Sequence, residues 1–91
     1  MPAFFLEAVY MISLILYSTV GCHLCELAEE QLRQAQQQFD LRWRWTEIVD
    51  SEELMERYSL RIPVVVEPAS GEEMGWPFTQ PELQTWLAQL T

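Results

Sequence analysis

The chain has no lysine: its five basic side chains are all arginines, set against fourteen Asp and Glu, and its formal net charge is −9. A chain this acidic repels phosphate backbones, which argues against a nucleic-acid partner. Cysteine is scarce as well, two in 91 residues, too few for a disulfide scaffold. Histidine occurs once, at His23, so no Ser/His/Asp set can be assembled elsewhere. Only three glycines are present, and none forms a phosphate-cradling loop. The uncharged run Ala8 to Val20 is thirteen residues, short of the ~20 that a membrane span needs. There are no runs of like charge, repeats, linkers or low-complexity tracts, so the acidity reads as solubility.

What is present is apolar and aromatic. Hydrophobic residues make up 49% of the chain, with four Trp, four Phe and three Tyr. That is enough for one compact core and too much for a disordered chain. Ninety-one residues leave room for one domain. Residues 1–10, "MPAFFLEAVY", show no clear period and are set aside as an N-terminal extension, leaving 11–91 as the domain. The extension carries Glu7, lacks basic residues and has no small-residue cleavage site, so it does not read as a signal peptide. The expected setting is the cytoplasm, where thiols are mostly kept reduced.

The periodicities predict an α/β layer fold. "ISLILY", 12–17, is β-branched, aliphatic and aromatic, as in a strand buried on both faces. From Cys22 to about Gln38 the period becomes helical. Leu24, Leu27, Ala28, Leu32, Ala35 and Phe39 fall on one face, and Glu26, Glu29, Glu30, Arg33 and Gln37 on the other. "LRWRWTEIV", 41–49, alternates, with Leu41, Trp43 and Trp45 on its apolar side. A short helix over 51–58 can be capped by Asp50 or Ser51. Val64–Glu67 and Glu73–Trp76 read as a hairpin around a Pro68–Gly71 turn. Thr79 and Glu82 make a capping box for a last helix presenting Leu83, Trp86, Leu87 and Leu90. The order is β-α-β-α-β-β-α: a parallel right-handed βαβ unit, then an antiparallel hairpin and helix, giving a four-stranded mixed sheet between helices.

Chemistry concentrates in "TVGCHLCEL". Cys22 falls where the first strand meets the first helical turn, beside unpaired backbone N–H groups and the positive end of the helix dipole. That setting stabilises a thiolate, so the Cys22 pKa should fall below the free value of about 8.5. His23 would lower it further, while Glu26 would oppose it. Cys25 lies almost one turn on, toward the buried side, within bonding reach of Cys22. The pair divides into an accessible attacking thiol and a shielded resolving one. A loop this short adds little stability as a structural crosslink. Two inert buried cysteines are the bland reading, and this placement beside a βαβ pattern argues against it. A metal-binding module is the competing one. A closed zinc site needs four ligands, and His23, between the cysteines, is poorly placed to join them, so carboxylates or a second subunit would have to complete a zinc or iron-sulfur site.

"LYSTVGCHLCELAEEQL", then "RYSLRIPVVV", then the hairpin and last helix, resemble the thioredoxin superfamily, and within it the small bacterial glutaredoxin-like proteins, over about residues 11–90. The resemblance implies a three-layer thioredoxin-like fold and dithiol–disulfide exchange. It makes Cys22 the nucleophile and Cys25 the resolving thiol. It makes Pro63 a cis-proline facing them, with Ile62 offering its backbone to an extended thiol substrate. It further implies a cytoplasmic monomer acting on protein or glutathione disulfides, with no bound cofactor or metal and with glutathione as reductant or substrate. The motif departs from the family pattern in three places. His23-Leu24 stands where glutaredoxins have Pro-Tyr. No Lys precedes the motif. "GWPFTQPEL" replaces the glycine pair and acidic residue that hold glutathione. These departures leave a non-enzymatic interaction domain of the same fold as a further alternative.

Overall fold

The computed structural model describes residues 11–91; the N-terminal extension expected over 1–10 lies outside them. Over the described residues the elements follow the expected order. They are β1 Ile12–Ser18, α1 His23–Ala35, β2 Leu41–Glu47, α2 Glu52–Tyr58, β3 Val64–Glu67, β4 Glu72–Gly75 and α3 Gln80–Gln89. The strands form one sheet in the order β2-β1-β3-β4. β2 runs parallel to β1, from Ile12 opposite Leu41 to Ser18 opposite Glu47. β3 is antiparallel to β1, and β4 to β3.

Alternation along β1 sends Ile12, Leu14 and Leu16 to one face of the sheet. There they meet Ala28, Leu32 and Ala35 of α1 and Leu83, Trp86 and Leu87 of α3, with Leu41, Val65 and Phe78 completing the cluster. The other face is smaller. Ile48, Tyr58, Val64 and Val66 form its buried centre, with Tyr17, Leu54 and Ile62 packed against it. The sequence predicts a first strand buried on both faces, yet Ser13 is exposed and Ile15 and Tyr17 are only half-buried. The reason is coverage: α2 is a seven-residue helix, and it shields only part of this face.

The helices differ from expectation in detail. α1 ends at Ala35 rather than near Gln38, and the chain then tightens into a turn in which Gln38 and Phe39 N–H groups both donate to the Ala35 carbonyl at 2.9 Å. Its buried stripe runs Cys25, Ala28, Leu32, Ala35, so Leu24 and Leu27, expected on the apolar face, flank it and stay exposed. Trp45, expected in the core, is also exposed, because β2 is an edge strand that the helices do not reach across at that end. Thr79 makes the expected capping box, with Glu82 N–H donating to its hydroxyl and its own N–H donating to Glu82 Oε1 at 2.8 Å.

Candidate active site

One end of the sheet gathers the C-terminus of β1, the C-terminus of β2 and the N-terminus of β3. Cys22 is carried there by a short loop. Gly21 adopts φ +79°, a left-handed conformation that costs glycine nothing and strains any other residue. Cys22 N–H donates to the Thr19 carbonyl at 3.3 Å, and Cys22 itself is the N-cap of α1. Its Sγ takes the place of a capping oxygen, accepting from Cys25 N–H at 3.1 Å. The sulfur therefore sits among the unpaired donors of the first turn, where negative charge is favoured.

Cys22 and Cys25 are joined as a disulfide, with their Cα atoms 5.3 Å apart. Their surroundings are unequal. Cys22 is half-buried, whereas Cys25 is 2% exposed and belongs to the packed stripe of α1. His23 lies between them in sequence. Its Nδ1 stands 3.5 Å from Glu26 Oε1, and both side chains are over three-quarters exposed. A contact so open contributes little. Among the described residues, no three His, Cys, Asp or Glu side chains are grouped to hold a metal ion.

Pro63 comes to the same end. The β1–β3 register pairs Tyr17 with Val64, so Pro63 falls beside Ser18 one position further on. The Ile62–Pro63 peptide is cis, as is Trp76–Pro77. Pro63 is buried, and its carbonyl accepts from Trp76 N–H at 3.0 Å. Ile62 is half-buried, and its N–H donates to the Tyr58 carbonyl at 3.0 Å.

Two features of this end escape sequence reasoning. Glu47 closes β2 and braces the loop that carries Cys22, accepting from Val20 N–H at 3.1 Å and from Val49 N–H at 3.0 Å. The Thr19 hydroxyl, followed by those backbone donors, holds its carboxyl below the ordinary carboxylate range. The second feature is a polar staple under the Pro63 loop. The Tyr58 hydroxyl donates to Glu73 Oε2 at 2.6 Å, and Arg61 Nη2 meets Glu73 Oε1 at 2.7 Å. Arg57 Nη2 lies 3.7 Å from Glu73 Oε2, and both guanidinium groups sit over the Tyr58 ring. Tyr17 stacks on the same ring at 4.7 Å. Burial, and then the bond to the Glu73 carboxylate, push the Tyr58 phenol up to about 12. The Tyr58 hydroxyl and Arg61 in turn hold Glu73 below its ordinary range. No spacing in the sequence signals either feature, since Glu47 and Glu73 look like the other surface acids until the strands are paired.

A mixed β2-β1-β3-β4 sheet with helices on both faces, and a Cys-x-x-Cys opening the first helix, define a glutaredoxin-like protein of the thioredoxin superfamily. The chain belongs to the glutaredoxin-like domain (DUF836) family, whose sequence model matches residues 13–88. Two solved structures resemble it over most of its length. The X-ray structure of the structural-genomics target protein XcR50 from X. campestris is 39% identical, with a TM-score of 0.74, covering 84% of this chain and 96% of that one. The solution NMR structure of protein Ne2328 from Nitrosomonas europaea is 25% identical, with a TM-score of 0.73, covering 82% and 89%. No curated protein matches the chain. Among the described residues, no helix is long and apolar enough to cross a membrane.

Proposed function

We propose that the protein is a thiol–disulfide oxidoreductase that works through Cys22 and Cys25. The observation that carries this reading is the asymmetry of the bonded pair: a half-buried sulfur at a helix N-terminus, joined to one that is 2% exposed. In the reduced protein, the Cys22 thiolate attacks one sulfur of a substrate disulfide. A Cys22–substrate mixed disulfide forms, and the first substrate thiolate leaves. The Cys25 thiolate then attacks Cys22 Sγ, the second substrate thiolate leaves, and the Cys22–Cys25 disulfide closes. Two electrons have passed from the protein to the substrate, and an external thiol or dithiol returns them. Pro63 and the Ile62 carbonyl line the approach, and His23 modulates the Cys22 thiol. In this reading the protein acts as a cytoplasmic monomer on protein or low-molecular-weight disulfides, glutathione among them, without a bound cofactor.

Two substitutions test the assignment of roles. Cys22→Ser should abolish disulfide reduction. Cys25→Ser should still attack and then stop, trapping one equivalent of mixed disulfide visible by intact mass spectrometry. Cys22 should alkylate with an apparent pKa below about 8.5. Undiminished disulfide reduction by Cys22→Ser would end this reading.

A further inference from the structure

We propose that the Ser18 hydroxyl is the hydrogen-bond partner of the Cys25 sulfur in the reduced protein. Ser18 is then a positioning residue that sets how readily the Cys22–Cys25 disulfide is reduced. This rests on the exchange reading above and assigns a residue to its second step. The starting observation is an unpaired group. Ser18 is 0% exposed, and its Oγ has no hydrogen-bond partner among the described residues. Burying a hydroxyl without a partner is costly. Such groups are rare in folded proteins, and use in another redox state is one reason to keep one.

The fold sets Ser18 under Cys25. Alternation along β1 puts the Ser18 side chain on the same face as Ile12, Leu14 and Leu16, the face that packs against α1. Only Thr19, Val20 and Gly21 separate Ser18 from the Cys22 cap, so α1 runs back over the strand that the chain has just left. Its buried stripe Cys25, Ala28, Leu32, Ala35 therefore follows the inward row Ser18, Leu16, Leu14, Ile12 in order. Cys25 heads one row and Ser18 the other, and both are closed to solvent. Within the sheet Ser18 stands between Glu47 and Pro63. Glu47 turns its carboxylate to the Val20 and Val49 N–H groups, and proline has no N–H to offer. The Ser18 carbonyl is already paired, accepting from Ile48 N–H at 3.1 Å.

In the oxidised protein the Cys25 sulfur is neutral and bonded to Cys22. Reduction by an external dithiol breaks that bond: two electrons enter, and each sulfur is left as a thiolate or, with a proton, a thiol. The Cys25 sulfur then sits in a closed site with few donors, because the Cys25 N–H is directed at Cys22 Sγ. The Ser18 O–H supplies one, and a hydrogen bond to a charged sulfur is of the stronger kind. A hydroxyl unpaired in the disulfide and paired in the dithiol tilts the equilibrium toward the dithiol. It also serves closure. When the Cys25 thiolate attacks Cys22 Sγ of a mixed disulfide, the substrate thiolate leaves and the internal disulfide forms. Stabilising the thiolate raises its population by more than it lowers its nucleophilicity, since the Brønsted slope is about 0.4–0.5. Ser18 keeps its proton throughout and gives up its bond as the sulfurs join.

The test is Ser18→Ala, which deletes one buried oxygen and no packing carbon. The full-length wild type and variant are equilibrated with mixtures of reduced and oxidised dithiothreitol, quenched in acid, and the oxidised fraction is read by mass spectrometry. The variant disulfide should be harder to reduce by about tenfold in the equilibrium constant, which is about 30 mV more negative for a two-electron couple. Urea denaturation of each redox form gives an independent reading. The oxidised variant should match or exceed the oxidised wild type, and the reduced variant should fall below the reduced wild type. Mixing the reduced proteins with 2-hydroxyethyl disulfide should show several-fold more Cys22 mixed disulfide in the variant at early times. An unchanged equilibrium constant would overturn the proposal, and so would an equal loss of stability in both redox forms, which would leave the hydroxyl a role in folding alone. The exchange reading fails on a different result, a reduced wild-type protein that does not react with 2-hydroxyethyl disulfide; the dithiothreitol equilibrium decides the Ser18 assignment in either case.

Discussion

The two faces of the sheet are built by different physics. The face under α1 and α3 has a large apolar centre, with Leu16, Ala28, Leu32, Leu83 and Leu87 all fully buried. The face under α2 has a small apolar centre and is held at its rim by Tyr58, Glu73 and two arginines. A long helix can bury a stripe and gain stability from area. A seven-residue helix cannot, so directional polar bonds supply what area does not. The consequence for function is positional. The apolar face fixes α1, and with it Cys25; the stapled face fixes the loop that holds Ile62 and Pro63. The candidate site lies at the end of the sheet where both meet.

Breaking the apolar face should have the largest effect. Leu16 is 0% exposed, in the middle of β1, and packs among the α1 and α3 side chains. Leu16→Ala removes buried methyl groups and leaves a cavity that neighbouring helices only partly close, at a cost of about 3–5 kcal/mol. A small domain has roughly 5–15 kcal/mol in all, so urea denaturation should show a large drop in midpoint or outright unfolding. A loss below about 1 kcal/mol would mean that this face is not the dominant core.

How much of this could be read beforehand follows the same divide. The apolar run "ISLILY", the alternation of "LRWRWTEIV" and the helical spacing from Cys22 located the elements around the apolar face, because burial imprints itself on sequence, although the run did not show that β1 is buried on one face only. The Cys-x-x-Cys placed one pair of site residues, and Thr79 with Glu82 placed the start of α3. Leu24, Leu27 and Trp45 misled, since an apolar side chain at a stripe's margin or on an edge strand carries the same letter as a buried one. The staple left no trace. Tyr58 and Glu73 are fifteen residues apart on different elements, and only strand pairing brings them within 2.6 Å. Glu47 was hidden in the same way, because its partners Val20 and Val49 lie on opposite sides of a crossover.

Breaking the stapled face should cost less and should show a pH signature. Tyr58→Phe keeps the ring against Tyr17 but deletes the bond to Glu73, a loss of about 1–2 kcal/mol near neutral pH. The folded protein keeps the Tyr58 proton up to about 12, whereas an ordinary tyrosine releases it near 10. Between those values the folded state holds a proton that the unfolded state has lost, so stability is full below 10 and declines as pH rises through the window. Tyr58→Phe should flatten that decline, and chemical denaturation at pH 9 and pH 11 checks it. Glu73 acts at the other extreme. Its folded pKa lies below the ordinary 4.5, so its contribution is present above that value and fades as pH falls through the lowered one. An unchanged alkaline decline in Tyr58→Phe would show that the staple does not set it.

The smallest effect should come from ion pairs of similar composition that lie within a single helix. Arg33 meets Glu29 at 3.2 Å and Glu30 at 3.1 Å, four and three residues back on α1, and its side chain is 54% exposed. Water screens such pairs, and holding three long side chains in one arrangement costs rotamer freedom. Arg33→Ala should lose no more than about 0.5 kcal/mol, most of it removed by added salt. Arg61 forms a contact of comparable length, 2.7 Å, but to a carboxylate on another element that a buried phenol also holds. Measured side by side, Arg33→Ala and Arg61→Ala separate the chemistry of the pair from its setting. If their losses are equal, ion-pair chemistry alone accounts for the rim of α2; a larger, salt-resistant loss at Arg61 assigns that rim to burial and to the Tyr58 anchor.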